Sequence, residues 1–185
     1  MTHDAFEHYS IRRLWPLDIA AFRRHLKRLD PETRQARFGS PVNDQFLDAY
    51  ADTAHRLGTV VYGAYHDGEI HASAELRPLD GVGEAQAEVA FTVEREDQHK
   101  GLGSLLMERI ITAAQNRRIS QLHMICLSDN GRMRQLAGKF GARLKVVSGE
   151  VTGHIDPAYP TAASVFDESL NAAQGFFTAA LDWHI

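Results

Sequence analysis

From Val89 to Leu106 the chain runs through a strand, a glycine-bearing turn and a helix start in immediate succession. The β-branched and aromatic residues between Val89 and Val93 suit a pleated surface. Leu102, Leu105, Leu106, Ile110, Ala113 and Ala114 then recur at helical spacing with charges between them. Glycines at 101 and 103 remove side chains where a backbone must come close to something. The first amides of the following helix have no partner within it and stand at the positive end of its dipole. The turn Gln98 to Ser104 can therefore hold a pyrophosphate-sized anion by backbone alone.

Other phosphate and nucleophile motifs fail on spacing. A dinucleotide fingerprint would need a third glycine where Leu106 stands, and a Walker-type loop ends in Gly-Lys-Ser/Thr, whereas Lys100 precedes its glycine. Gly103-Ser104 lacks the glycine two residues on that a nucleophile elbow has. His123 and Cys126, three apart on a strand, face opposite ways and cannot share a metal, and the remaining histidines show no ligand pairing at helical spacing, so no metal is expected. Gln98-x-x-Gly101-x-Gly103 does resemble the Gln/Arg-x-x-Gly-x-Gly/Ala signature of the GNAT superfamily of acyl-CoA-dependent N-acyltransferases. The order that follows is also similar: a helix to about Asn116, a strand from Leu122 to Leu127, then Asn130 opening a helix stopped by Gly141. The resemblance covers roughly Ala85 to Val147.

That resemblance implies acetyl-CoA as co-substrate and an amine as acceptor, with direct transfer in a ternary complex. The backbone of Phe91, Thr92 and Val93 would pair with the pantetheine amides like an added strand. The loop Gln98, His99, Lys100, Gly101, Leu102, Gly103 and Ser104 would take the pyrophosphate. His99 and Lys100 either add charge there or are simply solvated. Asn130 matches the Asn that meets the pantetheine arm, and a helix cap is an equally physical role for it.

Transfer to an amine also needs a proton acceptor, because a lysine of pKa about 10.4 gives up its proton at pH 7 at a cost of roughly 4.6 kcal/mol. Glu88, at the start of the strand leading into the loop, is the candidate base. Alternation sets it with Ala90 and Thr92 on the face opposite Val89, Phe91 and Val93, and apolar neighbours would raise its pKa toward working pH. Glu75, on the preceding strand with His71 and Ser73, is the second choice, and a Glu facing water at a strand edge is the bland alternative for Glu88. One departure stands out: many members of the family carry a Tyr seven residues after the Asn, to protonate the leaving thiolate, and here that position is Ala137. A second resemblance, to GNAT domains of bacterial protein-lysine acetyltransferases, lies in Leu29-Asp30-Pro31-Glu32-Thr33-Arg34 with Arg37-Phe38. It bears on the acceptor side and admits protein lysine as a substrate.

These groups need elements to hold them. Tyr9 to Leu14 reads as a strand. Asp18 caps a helix with Ile19, Phe22, Leu26 and Leu29 on one face, and Asp30-Pro31 starts a short helix to Phe38. Asn43-Asp44 starts another, with Phe46, Leu47, Tyr50, Ala51, Ala54 and Leu57 on its buried face and Gly58 as its stop. Thr59 to Tyr65 and Ile70 to Leu76 form a hairpin across Asp67-Gly68, Pro78 to Glu84 is a loop, and Ala87 to Val93 is the next strand. Leu144 to Val147 and Glu150 to Ile155 make a closing hairpin. Thr161 opens a last helix with Val165, Phe166, Leu170, Ala173, Phe177 and Leu181 along one side, to cover the sheet or make a homodimer contact. The class is mixed α/β in a single domain spanning 1–185, with a core from about 8 to 156 and the extra helix from about 161 to 182. The resemblance adds the GNAT fold: a mostly antiparallel mixed sheet whose central strands splay apart, flanked by helices.

Composition sets outer limits. One Cys in 185 residues excludes a disulfide framework, and the absence of a secretory segment or a long apolar window points to a cytoplasmic, non-membrane protein. A formal net charge of -4 with acids and bases interspersed argues against nucleic-acid partners. Two rival functions remain at this stage: an acyl-CoA-binding sensor without turnover, which Ala137 favours, and a purely structural α/β domain.

Overall fold

The computed structural model describes residues 9–79 and 85–182, with side chains excepted at 174 and from 177 onward. The seven strands are β1 (Ser10–Arg13), β2 (Val60–His66), β3 (Glu69–Leu79), β4 (Gln86–Val93), β5 (Gln121–Leu127), β6 (Arg143–Val147) and β7 (Glu150–Ile155). The helices are α1 (Ile19–Arg28), α2 (Pro31–Phe38), α3 (Asp44–Asp52), α4 (Leu102–Asn116), α5 (Gly131–Lys139) and α6 (Ala162–Asp182). The sheet order is β1-β2-β3-β4-β5-β7-β6, and every neighbouring pair is antiparallel except β4 with β5. The expected mixed, mostly antiparallel sheet is therefore present.

The parallel pair is short. β4 meets β5 only at Gln86 with Gln121, Ala87 with Leu122 and Glu88 with His123, although both strands continue past these residues. Beyond Glu88 the two separate, and this is the splay that the family resemblance implies and that strand periodicity could not reveal.

Alternation along β4 sends Ala87 and Val89 into a core with α4 residues Leu102, Leu106, Met107, Ile110, Ala113 and Ala114. A second core lies on the opposite face, where Phe22 and Leu26 of α1 and Leu47 and Ala51 of α3 meet Val61, Tyr65 and Ile70. The hairpin turn has Asp67 and Gly68 both at positive φ, 49° and 75°, as a two-residue turn of this hand requires.

Several boundaries differ from the sequence reading, each for a local reason. Asp18 does not cap α1 with its side chain. Its carboxylate instead accepts two buried bonds of 2.9 Å from Arg12 and one of 2.7 Å from the Trp15 amide. α3 ends at Asp52 rather than near Gly58. A 3-10 turn over Thr53–His55 follows, and Leu57 is fully exposed instead of continuing the buried face. β3 runs on through Pro78, paired with Ala87, opposite a point where β2 has not yet begun, so no β2 acceptor is lost to the missing N–H. The rest of the expected loop, 80–84, lies outside the described residues.

Along α6, Val165, Phe166 and Leu170 face solvent. The helix is held by polar contacts to α4: Arg109 to Asp167, Arg117 to Glu168, and Asn116 to Ser164 and Glu168. Phe177 and Leu181 of the expected stripe lie outside the described side chains.

α2 is built almost entirely by its ends. Asp30 accepts from the Glu32 and Thr33 amides at 3.1 Å, Pro31 takes the first helical position, and Gly39 closes the helix at φ 72°. None of its residues is fully buried. Asp30→Ala should lower stability by about 1 to 2 kcal/mol in urea titration, the usual value of such a cap. The loss should appear as faster amide exchange in 31–38 before it appears elsewhere.

Candidate active site

β4 leaves the sheet at Val93 and passes through a 3-10 turn over Arg95–Asp97 into the glycine turn, where His99 and Gly101 take positive φ of 65° and 83°. Gly101 occupies the N-cap of α4 in the left-handed conformation. The first bonds into the helix come from Ser104 and Leu105 to the Gly101 carbonyl, at 2.9 and 3.3 Å. The amides of Gly101, Leu102 and Gly103 precede these bonds, at the positive end of a fifteen-residue helix.

Gly103 differs from Gly101. A Cβ built at 103 would meet only Leu136 Cδ2 at 3.5 Å, an ordinary contact, and the residue has no positive φ, so the protein itself does not demand glycine there. An open surface at this point is what close approach of a pyrophosphate needs.

The turn forms one wall of a cavity of about 570 Å³. α5 supplies the facing wall through Arg132, Met133, Gln135, Leu136 and Lys139, and α2 contributes Glu32, Thr33, Ala36 and Arg37. Lys139 Nζ donates to Ser104 Oγ at 2.9 Å. Gln98 is clamped, donating to the Val93 carbonyl at 3.2 Å and accepting from Arg132. A second cavity of about 290 Å³ sits at the fork of β4 and β5, lined by Glu88 to Phe91, Ile125 to Leu127, Glu150 and the C-terminal end of α2. The two cavities share Ala36, Arg37, Phe91, Asn130 and Met133.

The residues singled out in the sequence divide between these places. Phe91, Val93, Gln98, His99, Gly101, Leu102, Gly103, Ser104 and Asn130 line the first cavity. Asn130 also caps α5, accepting from the Met133 amide at 3.0 Å, the helix-cap role considered for it. Thr92 points to the opposite face, where its hydroxyl lies 2.8 Å from His25 Nε2 and 2.6 Å from Ser73 Oγ. His25 is wholly buried. Burial lowers its pKa against the opposing pull of Glu94, whose Oε1 lies 2.8 Å from Nδ1. Lys100 does not line either cavity; its ammonium donates to Asp97 at 2.7 Å and to Tyr9 at 3.4 Å. Cationic charge at the first cavity comes instead from Arg37 of α2 and from Arg132 and Lys139, seven residues apart on one face of α5. The sequence reading passed over the α5 pair, although that spacing was the available signal.

Glu88 is half-buried at the fork, and among the described residues no hydrogen bond or ion pair engages its carboxylate. Glu75 is a different case and corrects the second choice for a base. It is fully buried, lines neither cavity, and accepts from Arg37 at 3.1 Å, from Tyr50 at 2.9 Å and from Arg77 at 2.9 Å. Burial would raise its pKa, but the charges of Arg37 and Arg77 and the bonds from Arg77 and Tyr50 outweigh that and hold it below the ordinary value. A carboxylate so satisfied is a structural anion. Ala137, where the family often has Tyr, is buried in the core with α4. Cys126 is buried at the fork, its thiol pushed up by burial.

His71, Glu94 and Asp97 bring one ligand atom each within 4.8 Å of one another, a grouping invisible to spacing because it joins β3 to the turn after β4. Its charge is already met, with Lys100 on Asp97 at 2.7 Å and Arg28 on Glu94 at 2.9 Å.

The glycine turn at the start of α4 and the forked sheet agree with the class of acyltransferases that the sequence resembles. The chain belongs to the Acetyltransferase (GNAT) family, which it matches over residues 21–142. It is 28% identical over 142 residues to Acetyltransferase PA5475 of Pseudomonas aeruginosa, a match covering 75% of this chain and 76% of that protein. It is 36% identical over 93 residues to Acetyltransferase Pat of Mycolicibacterium smegmatis, covering 50% of this chain but only 26% of that longer protein. Among solved structures, the GNAT domain of S. lividans PAT superposes with a TM-score of 0.69 at 23% identity, covering 80% of this chain and 90% of that one. The structure of yncA from Salmonella typhimurium with its cofactor acetyl-CoA gives 0.63 at 20% identity, covering 83% and 98%. Among the described residues no helix is long and apolar enough to cross a membrane.

Two outcomes test this geometry. CoA should raise the melting temperature of the wild type and of Gly103→Ala, whose Cβ makes only an ordinary contact. Gly103→Val should keep the apo melting temperature near wild type but lose the CoA shift, which corresponds to about 2.7 kcal/mol at a hundred times Kd.

The second outcome concerns Asp97. Burial raises its pKa, but Lys100, Tyr9 and His71 together lower it from 3.8 to about 2. The unfolded chain binds this proton more readily than the folded one, so the stabilisation is fully present above about 4 and is lost as pH falls toward 2. The melting-temperature gap between wild type and Asp97→Asn should accordingly be constant from pH 7 to 5 and close below pH 4.

Proposed function

We propose that the protein is an acetyl-CoA-dependent N-acetyltransferase that transfers the acetyl group directly to a primary amine in a ternary complex, with Glu88 as general base. The observation that supports this most is the position of Glu88. It stands where β4 and β5 part, in a cavity that shares lining residues with the one at the glycine turn, and among the described residues no hydrogen bond or ion pair engages its carboxylate.

In this reading the amides of Gly101 to Gly103, with Arg132 and Lys139, hold the pyrophosphate. The free edge of β4 at Phe91 to Val93, together with Asn130, aligns the pantetheine arm along the fork. Acetyl-CoA supplies the thioester carbonyl. Glu88 takes a proton from the ammonium and the neutral amine attacks the thioester carbonyl. As the tetrahedral adduct collapses the C–S bond breaks, the sulfur leaves with the electron pair, and the nitrogen's second proton reaches it through solvent, since Ala137 offers no hydroxyl. The acidic pair Glu88 and Glu150 at the second cavity favours a cationic acceptor. The segment Glu32 to Arg37, which lines the first cavity, is the part of the sequence that resembles protein-lysine acetyltransferases, so a lysine side chain on a protein heads the acceptor classes.

A reading as a binding module without turnover draws on Ala137 alone. Glu88→Gln separates the two. It should keep acetyl-CoA affinity near wild type and lower kcat/KM by about a hundredfold at pH 7, the scale of general-base assistance. The gap should narrow as pH rises and the amine arrives neutral. A loss under threefold across that range removes Glu88 from the role, and a wild type that binds acetyl-CoA but acetylates no amine in a broad panel favours the binding module.

A further inference from the structure

Among the described residues, Arg37 is the only charged side chain that lines both cavities. It is nine-tenths buried, and its guanidinium is fixed from below: Nη2 donates to Tyr50 Oη and to Glu75 Oε1, while Arg77 and Tyr50 hold the rest of the Glu75 carboxylate. The ring faces of Phe38 and Tyr50 flank it, with centroids 4.9 and 5.4 Å from its central carbon. Two carboxylates act on it from different directions. Glu75 touches it, and Glu88 at the fork is near enough to add to the field that keeps it charged.

One part of this arrangement has no explanation in the fold. Among the described residues the buried Nε has no hydrogen-bond partner, and the bonds to Tyr50 and Glu75 both run through Nη2. A buried guanidinium donor left unmade costs about 1 to 3 kcal/mol, so a site that keeps one has a use for it.

Resting on the acyl-transfer reading, we propose that Arg37 is an electrophilic residue of the transfer site, donating to the thioester carbonyl oxygen as that oxygen gains negative charge. When the amine nitrogen bonds to the carbonyl carbon, the π pair moves onto the oxygen beside Arg37. When the pair returns, the C–S bond breaks, sulfur departs with its electrons, and the nitrogen's remaining proton reaches the thiolate through solvent, Glu88 having taken the first. Arg37 gives up no proton in this cycle. Glu75, Tyr50 and Arg77 are positioning residues, since they fix the guanidinium without reaching the cavity. A planar, permanently charged group pinned on one side suits this task, because its donors are oriented before reaction begins.

The test is a binding ratio that needs no acceptor. S-ethyl-CoA and S-carboxymethyl-CoA share every contact of the CoA body, but only the second places a negative oxygen near the position of the thioester carbonyl. Calorimetry on the wild type should show S-carboxymethyl-CoA binding about tenfold or more tightly than S-ethyl-CoA at pH 7. Arg37→Met should bring the ratio close to one while S-ethyl-CoA affinity stays within about threefold. The double variant Arg37→Met/Glu75→Gln, which leaves no uncompensated carboxylate, should do the same and guards against misfolding of the single variant. Arg37→Lys, which keeps charge without the fork, should fall between. A folded Arg37→Met or double variant that retains the wild-type ratio within twofold overturns the assignment, as does a wild type with no preference. Failure of the wild type to bind either compound would instead strike at the CoA site itself.

Discussion

Two neighbouring parallel strands that stop bonding after three residue pairs leave a row of backbone donors and acceptors on each inner edge, and buried groups of this kind must find partners. Around this fork the rest of the molecule is arranged. β3 and β7 secure the outer edges of β4 and β5 along their length, so the opening cannot close by slippage. α4 packs beneath β4, and α5 is capped where β5 ends. Between them the two helices carry the glycine turn and the basic stripe that face each other across the first cavity.

Charge is distributed around the fork by depth. The fully buried anion, Glu75, is surrounded by three donors and serves geometry. The half-buried one, Glu88, lines the second cavity and has no hydrogen bond or ion pair among the described residues. A similar contrast separates Lys100, tied to Asp97, from Arg132 and Lys139, which face the anion cradle. Burial decides which charges are spoken for within the protein and which remain for ligands, since a fully desolvated charge is tolerated only when paired.

Much of this was legible in the sequence because local rules governed it. The cap at Asp30, the Asp67-Gly68 hairpin, the strand-turn-helix from Val89 to Leu106 and the helix opened by Asn130 all follow from residue type and period, and each appears within a residue or two of its expected place. The readings that failed involve competition from distant partners. Asp18 looked like a cap until Arg12 claimed its carboxylate, and Leu57 continued a periodic face only on the sequence, because the helix had already broken at Asp52. Glu75 and Glu88 were indistinguishable as strand carboxylates. Only the arrival of Arg37 and Tyr50 from α2 and α3 separates them, and no window of sequence contains that encounter.

The construction of α2 has a consequence for access to the cleft. With no fully buried residue, this helix is fastened by its cap and by polar ties: Arg34 to the Lys27 and Leu29 carbonyls and to Asp44, Arg95 to Asp30 and Glu32, and Arg37 to Glu75. Phe38 alone ties it to the second core, and its exposed polar ties weaken with ionic strength while the apolar cores do not. Ionic strength therefore acts on the α2 wall of the first cavity more than on the sheet behind it.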